Sequence, residues 1–139
     1  MAEAEADSPG PAMDQETART LFAEGATLLF LNVPPGTEFG IDCNSWTTGE
    51  KFKGVKMIPP GVHFVHYSAV DRRERNRAPR MGFFRSFARQ ELVVLSWSPR
   101  DEDAVEHPLG SGQEEEEAEY RARLRSLDPN LAPYPYAGL

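Results

Sequence analysis

Three histidines, one cysteine and scattered carboxylates are the residues of this chain that could do chemistry. Cys43 can be read as a nucleophile, with His63 or His66 as its base and Asp42 or Asp71 to orient that base. Nothing in the spacing ties these residues into a triad, and no neighbouring cation favours a thiolate at Cys43. An isolated cysteine is more often a small inert hydrophobe. His63 and His66 are three apart, which on a strand sends them to opposite faces and prevents joint ligation of one metal. His107 stands in an acidic stretch without a partner at ligand spacing. Glu38 or Glu50 with Asp42 can be paired as general acid and base, but any acidic chain supplies such pairs. There is no phosphate-binding glycine loop. No catalytic residue, metal or cofactor is expected, and the chain is not read as an enzyme.

The basic and aromatic residues say more. Arg72, Arg73, Arg75 and Arg77 can hold phosphates, each contact positioning a nucleic acid without reading its sequence. RMGFFRSF, from Arg80 to Phe87, loosely matches the basic, glycine and aromatic run with which an RNA recognition motif stacks bases. Met81 precedes Gly82, however, and Arg85 stands where that motif needs an apolar residue. A direct RNA-binding module over residues 72–87 is therefore the alternative reading, and RNA contact is not expected. Eight Phe, four Tyr and two Trp are more aromatic surface than a domain of this size can bury completely. Phe39, Phe64, Tyr67 and Phe84 are expected in the core, with Trp46 over one end of it. Tyr134 and Tyr136 are expected to remain for contacts outside the segment, which favours a docking module.

The elements that must position these groups follow from the pattern. Asp14 can cap a helix over 14–24, with Leu21 and Phe22 as its apolar stripe. ATLLFLNV at 26–33 reads as a fully buried strand. ProProGly at 34–36 and again at 59–61 forces turns. Short strands follow at 37–41, around 52–58 and at 62–67, and Gly40 marks a bulge or a close backbone approach. Asp42 to Ser45 is turn chemistry, which places Trp46 in a turn. Met81–Phe87 and Leu92–Trp97 read as an antiparallel hairpin joined by Ala88–Glu91. Glu114–Leu127 has helical logic, with acids at its positive end and Tyr120, Leu124 and Leu127 on one stripe. The fold expected is mainly β, a small mostly antiparallel sandwich or barrel of six short strands with short flanking helices. Its parts are a flexible lead at 1–13, a β-rich domain at 14–98, an acidic and polar linker or loop at 99–113, and a helix with a PYPY segment at 114–139. That last part either packs on the domain or leads to a missing one.

Charge divides sharply along the 139 residues: one basic and nine acidic groups in 1–50, eleven and three in 51–100, and three and ten in 101–139. The net of −7 hides a basic middle between acidic flanks, so the chain as a whole is not expected to attract DNA, RNA or anionic membranes, while a local basic face remains open. One cysteine excludes an intramolecular disulfide and fits a reducing compartment. The acidic N-terminus lacks the apolar run of a secretory signal, and no apolar stretch is long enough to span a bilayer. A soluble chain of cytoplasm and nucleus is expected, without a membrane partner.

LFAEGAT (21–27), GTEFGIDCNSW (36–46) and FKGVKMIPPGVHFVHYS (52–68) resemble the N-terminal domain of the Aar-two splicing-factor family. So do PRMGFF (79–84) and LAPYPYAGL (131–139), and the resemblance covers roughly residues 14–139. It implies a β-rich domain followed in the family by a helical, VHS-like domain that this chain does not include. It also implies an assembly chaperone of the U5 small nuclear ribonucleoprotein. The partner implied is that particle's large scaffold protein, bound through its RNase-H-like and Jab-MPN domains until a helicase subunit takes over. Cys43 stands where close animal relatives are expected to carry tyrosine. The chain is expected to be a natural isoform, a truncated product or a cut-out domain. Trp46 is the expected centre of the docking surface, with Lys51, Lys53 and Arg80 on its basic rim.

Overall fold

Ala26–Leu31, ATLLFL, has no polar alternation, and the fold buries it on both faces. The computed structural model describes residues 15–71, 76–77, 80–107, 109 and 112–135. Along them run α1 (Gln15–Glu24), β1 (Ala26–Leu31), β2 (Glu38–Ile41), β3 (Asn44–Thr47), β4 (Gly54–Ile58) and β5 (Gly61–Ser68). Then come β6 (Val70–Asp71), β7 (Asn76–Arg77), β8 (Met81–Phe87), β9 (Leu92–Ser98) and β10 (Asp103–His107). The helix α2 (Glu114–Leu127), a 3-10 turn at Asp128–Asn130 and β11 (Leu131–Pro133) follow. The expected N-terminal lead, the cap at Asp14, Arg72–Arg75 and Tyr136 lie outside the described residues, as does the side chain of Arg77.

Two sheets make a sandwich-like arrangement. One has the order β10-β9-β1-β4-β11, the other β3-β2-β5-β8, and β6 with β7 forms a small separate pair. The ladders of β1 with β9 and of β4 with β11 are parallel; the others are antiparallel. The main core lies between the sheets, with Leu28, Phe30, Val55, Val93, Leu95 and Trp97 on one side and Phe39, Ile41, Val65, Tyr67 and Phe87 on the other. Phe30 is its centre, its ring 5.5 Å from Phe39, 6.0 Å from Tyr67 and 6.4 Å from Trp97. On the far face of the five-stranded sheet, Leu29, Leu92, Val94 and Leu131 receive Tyr120, Leu124 and Leu127 of α2. That second core explains why β1 and β9 are apolar without alternation.

The mostly antiparallel sandwich with flanking helices is therefore what forms, with several differences of detail. The strands are more numerous than six. Met81–Phe87 and Leu92–Ser98 are not a hairpin: β8 pairs with β5, and β9 lies parallel to β1 in the other sheet. Ala88–Glu91 turns a corner between sheets, held by Glu91, whose carboxylate accepts from the Ala88 N–H at 2.8 Å. Gln90 donates from its main chain and its side chain to the Glu24 and Ala23 carbonyls, closing α1 at its C-terminal end. The polar stretch 99–113 contains β10, which pairs back on β9. Trp46 lies in a strand, not a turn. Phe84 is 74% exposed and Phe64 points to the outer face of its sheet, so neither belongs to the core. Tyr134, expected outside, is only 4% exposed.

Tyr67 joins the sheets by a polar bond across the core. Its hydroxyl donates to Asp103 of β10, and burial together with that carboxylate pushes the phenol up to about 12.

These packing assignments predict unequal costs. Phe30→Ala should destabilise the domain by about 3–5 kcal/mol, the usual range for emptying a buried aromatic site. Phe84→Ala should stay within about 0.5 kcal/mol, as surface changes do. Urea midpoints of the two variants measure the difference, and equal shifts would refute the packing described.

Candidate protein-interaction site

Strand β5 carries chemistry on both faces because its side chains alternate. His63, Val65 and Tyr67 point into the sandwich; Val62, Phe64 and His66 point out. Both histidines meet the same residue. His63 is bonded through Nδ1 to the Asp42 carboxylate and through Nε2 to the Pro59 carbonyl oxygen, each at 2.6 Å. His66 donates from Nε2 to the Asp42 main-chain carbonyl at 3.1 Å, while its Nδ1 accepts from Arg80 at 3.2 Å. Asp42 itself sits at φ 56, the left-handed conformation that aspartate tolerates better than most residues.

The Asp42 carboxylate also accepts from the Phe64 N–H at 2.9 Å and from the Tyr134 hydroxyl. Partial burial raises its pKa, but the bonds from Tyr134, His63 and Phe64, with the His63 charge, outweigh that and hold it below the ordinary 3.8. This network uses up the groups that a catalytic reading would need. His63 has no free ring nitrogen with which to deprotonate Cys43, whose own side chain is exposed. Among the described residues no group of three His, Cys, Asp or Glu side chains is placed to hold a metal ion.

The outer face of β5 and β8 is a different surface. Phe84 packs on Phe64 with ring centres 4.9 Å apart, and Phe64 stacks on His66 at 5.3 Å and 24°. Two glycines make this flat arrangement possible. A Cβ at Gly82 would lie 2.4 Å from Phe64 Cζ, and one at Gly40 would lie 2.1 Å from His66 Cε1. The rings of β5 thus cover the bare backbone of the strands on either side. Val62 extends the strip at 67% exposure. Arg80 closes its other end, donating to Glu38 Oε1 at 3.1 Å as well as to His66.

Of the four residues expected at the docking surface, only Arg80 lies on this strip. Trp46 faces inward, opposite Phe39, with ring centres 6.0 Å from Phe39 and 6.5 Å from Phe52. Lys51 lines a shallow groove with Trp46, Phe52 and residues 129–133. Lys53 is half-buried and bonded through its backbone N–H to the Asn130 carbonyl at 2.9 Å. The four do not form one patch. Phe84, Phe64 and Val62 form an exposed apolar strip that the sequence reading did not single out, and the alternation of β5, apolar on both faces, was the signal for it.

Residues 24–139 match the family model described as the AAR2 N-terminal domain. The chain belongs to this family. It is 54% identical over 128 residues to the Protein AAR2 homolog of Homo sapiens, and 43% identical over 127 residues to that of Caenorhabditis elegans. Each alignment covers 91% of this chain and 33% of the relative. The chain thus spans about a third of the length of the curated relatives it matches.

Asp42 gives a pH prediction with a definite sign. A carboxylate whose folded-state pKa is depressed stabilises the fold above its unfolded value and loses that contribution as pH falls through the folded one. Stability should therefore decline as pH drops below about 4. Asp42→Asn should cost about 1.5–3 kcal/mol at pH 7, the worth of hydrogen bonds to a charged group, and should flatten that acid limb. Urea unfolding from pH 3 to pH 7 measures both, and an unchanged limb in the variant would refute the role of Asp42.

Proposed function

We propose that this domain is a protein-docking module of a splicing factor, binding the large scaffold protein of the U5 small nuclear ribonucleoprotein during assembly of that particle. Membership of the AAR2 family supports the setting. The single observation that carries docking is the exposed strip of Phe84, Phe64 and Val62 on a well-packed sheet, rimmed by Arg80. Exposed aromatics on a rigid support are the usual energetic centres of protein interfaces. The scaffold's RNase-H-like domain is the proposed contact, with its Jab-MPN domain also within reach of the complete protein. The role is non-catalytic, and the location is cytoplasm and nucleus, where such particles are assembled and used.

Phe84 beside Arg80 is also how a sheet would stack a base, so RNA is the competing outcome of the test. Binding of the chain to the RNase-H-like domain should weaken by about 2 kcal/mol or more in Phe84→Ala. Arg80→Glu should act mainly on the association rate and its salt dependence. Trp46→Ala should lower stability. Titration calorimetry and stopped-flow mixing at several salt concentrations separate these effects. Tighter binding to single-stranded RNA than to the protein at physiological salt, with a steep salt slope, would overturn the reading.

A further inference from the structure

We infer that the partner engages this domain by adding an extended strand to the free edge of β8, an inference that rests on the docking role proposed above. The four-stranded sheet ends at β8, and among the described residues no strand lies on its far side. Alternate residues of a seven-residue strand there turn their N–H and C=O groups away from β5. Such an edge is a template for another chain unless proline, outward charge or brevity blocks it. The other edge strands of the two sheets are shorter: β3 has four residues, β10 has five, and β11 has three and ends in Pro133. The sequence of β8, MGFFRSF, has no proline, and its one charge, Arg85, is held in place: a quarter exposed, it donates to the Ser86 carbonyl. Arg85 is gripped by Glu106 at 2.9 Å and Glu91 at 3.1 Å, with its guanidinium carbon 5.6 Å from the centre of the Phe87 ring.

Charge selects the occupant. Arg80 and Arg89 flank β8, with side chains 50% and 65% exposed. A second copy paired antiparallel across this edge would bring the Arg80 end of each strand beside the Arg89 end of the other, cation against cation. An extended segment of another protein, with carboxylates near its ends and an aromatic or β-branched residue between them, meets both arginines. It also packs beside Phe84 on the outer face, extending the Phe64–Phe84 stack by one strand.

Hydrogen exchange of the full 139-residue chain tests this, alone and with the scaffold's RNase-H-like domain. A second probe is a nine-residue synthetic peptide of alternating Thr and Val with central Phe and terminal Glu, tested with a version N-methylated at alternate positions. The expected result is at least tenfold slower exchange in β8 with either partner, loss of peptide binding on N-methylation, and at least tenfold weaker binding by Phe84→Lys at an unchanged urea midpoint. If the domain binds and β8 exchange does not change, the edge inference fails while the docking role stands. If the domain does not bind but the peptide slows β8, the edge stands and the choice of scaffold falls. If neither binds, both fall. Concentration-dependent dimerisation that protects β8 without a partner would overturn the assignment of the occupant.

Discussion

The Asp42 carboxylate is the constraint on which the arrangement of both sheets depends. It sits in a left-handed turn between β2 and β3 and receives His63, the Phe64 amide and the Tyr134 hydroxyl. Each donor comes from a different demand of the fold. His63 and Phe64 fix where β5 crosses the turn. Tyr134 brings in the segment after β11, whose backbone is tied to β4 of the opposite sheet. One side chain therefore links the four-stranded sheet to the last strand of the five-stranded one. A neutral residue here would leave the donors of His63 and Tyr134 facing an empty or weaker acceptor, and buried unpaired donors are costly.

The exposed strip depends on that anchor. Phe64 follows His63 directly, so locking His63 and the Phe64 amide to Asp42 fixes which face of β5 looks outward. A slip of one residue would exchange the faces, turning Phe64 and His66 into the sandwich and Val65 and Tyr67 out of it. Gly40 and Gly82 then let the His66 and Phe64 rings lie across the neighbouring strands instead of standing up from the sheet. The outcome is an aromatic surface whose shape is set before any partner arrives. Preorganisation of this kind reduces the ordering cost of association.

Much of this architecture was legible in the residues. The unbroken apolar run of β1 announced burial on two faces, ProProGly located two turns, and the charge and apolar spacing of Glu114–Leu127 gave α2. The chain from β8 to β9 was harder. A four-residue connection suits a hairpin as well as a corner between sheets, and local sequence does not separate them. The distinction lay in LVVL of β9, which is buried at every position and so needs a central place with a layer on either side. Phe84 misled for a related reason: hydrophobicity indicates burial on average, but a single large apolar side chain on a strand can still stand in the open. Asp42 read as an ordinary turn residue, because its partners lie 21 to 92 positions away and no local pattern marks them.

The block pattern of charge acquires a structural meaning once the ion pairs are placed. Among the described residues, four cations of the basic middle reach carboxylates of the acidic flanks. Arg80 pairs with Glu38 and Arg89 with Glu24 from the N-terminal third, while Lys56 pairs with Asp128 and Arg85 with Glu106 from the C-terminal third. Each of these bonds joins blocks of opposite sign across the fold. Individually they lie near the surface and contribute little to stability. Their joint effect is on recognition. Cations engaged in this way have carboxylates within a few ångströms, so any approaching anion, phosphate or carboxylate, meets nearby negative charge as well. A polyanion gains most from a field of one sign, whereas a polypeptide with spaced acidic and apolar groups can use single arginines beside an aromatic face. The folded distribution of charge thus interleaves the two signs at the edge where Arg80, Phe84 and Arg89 lie.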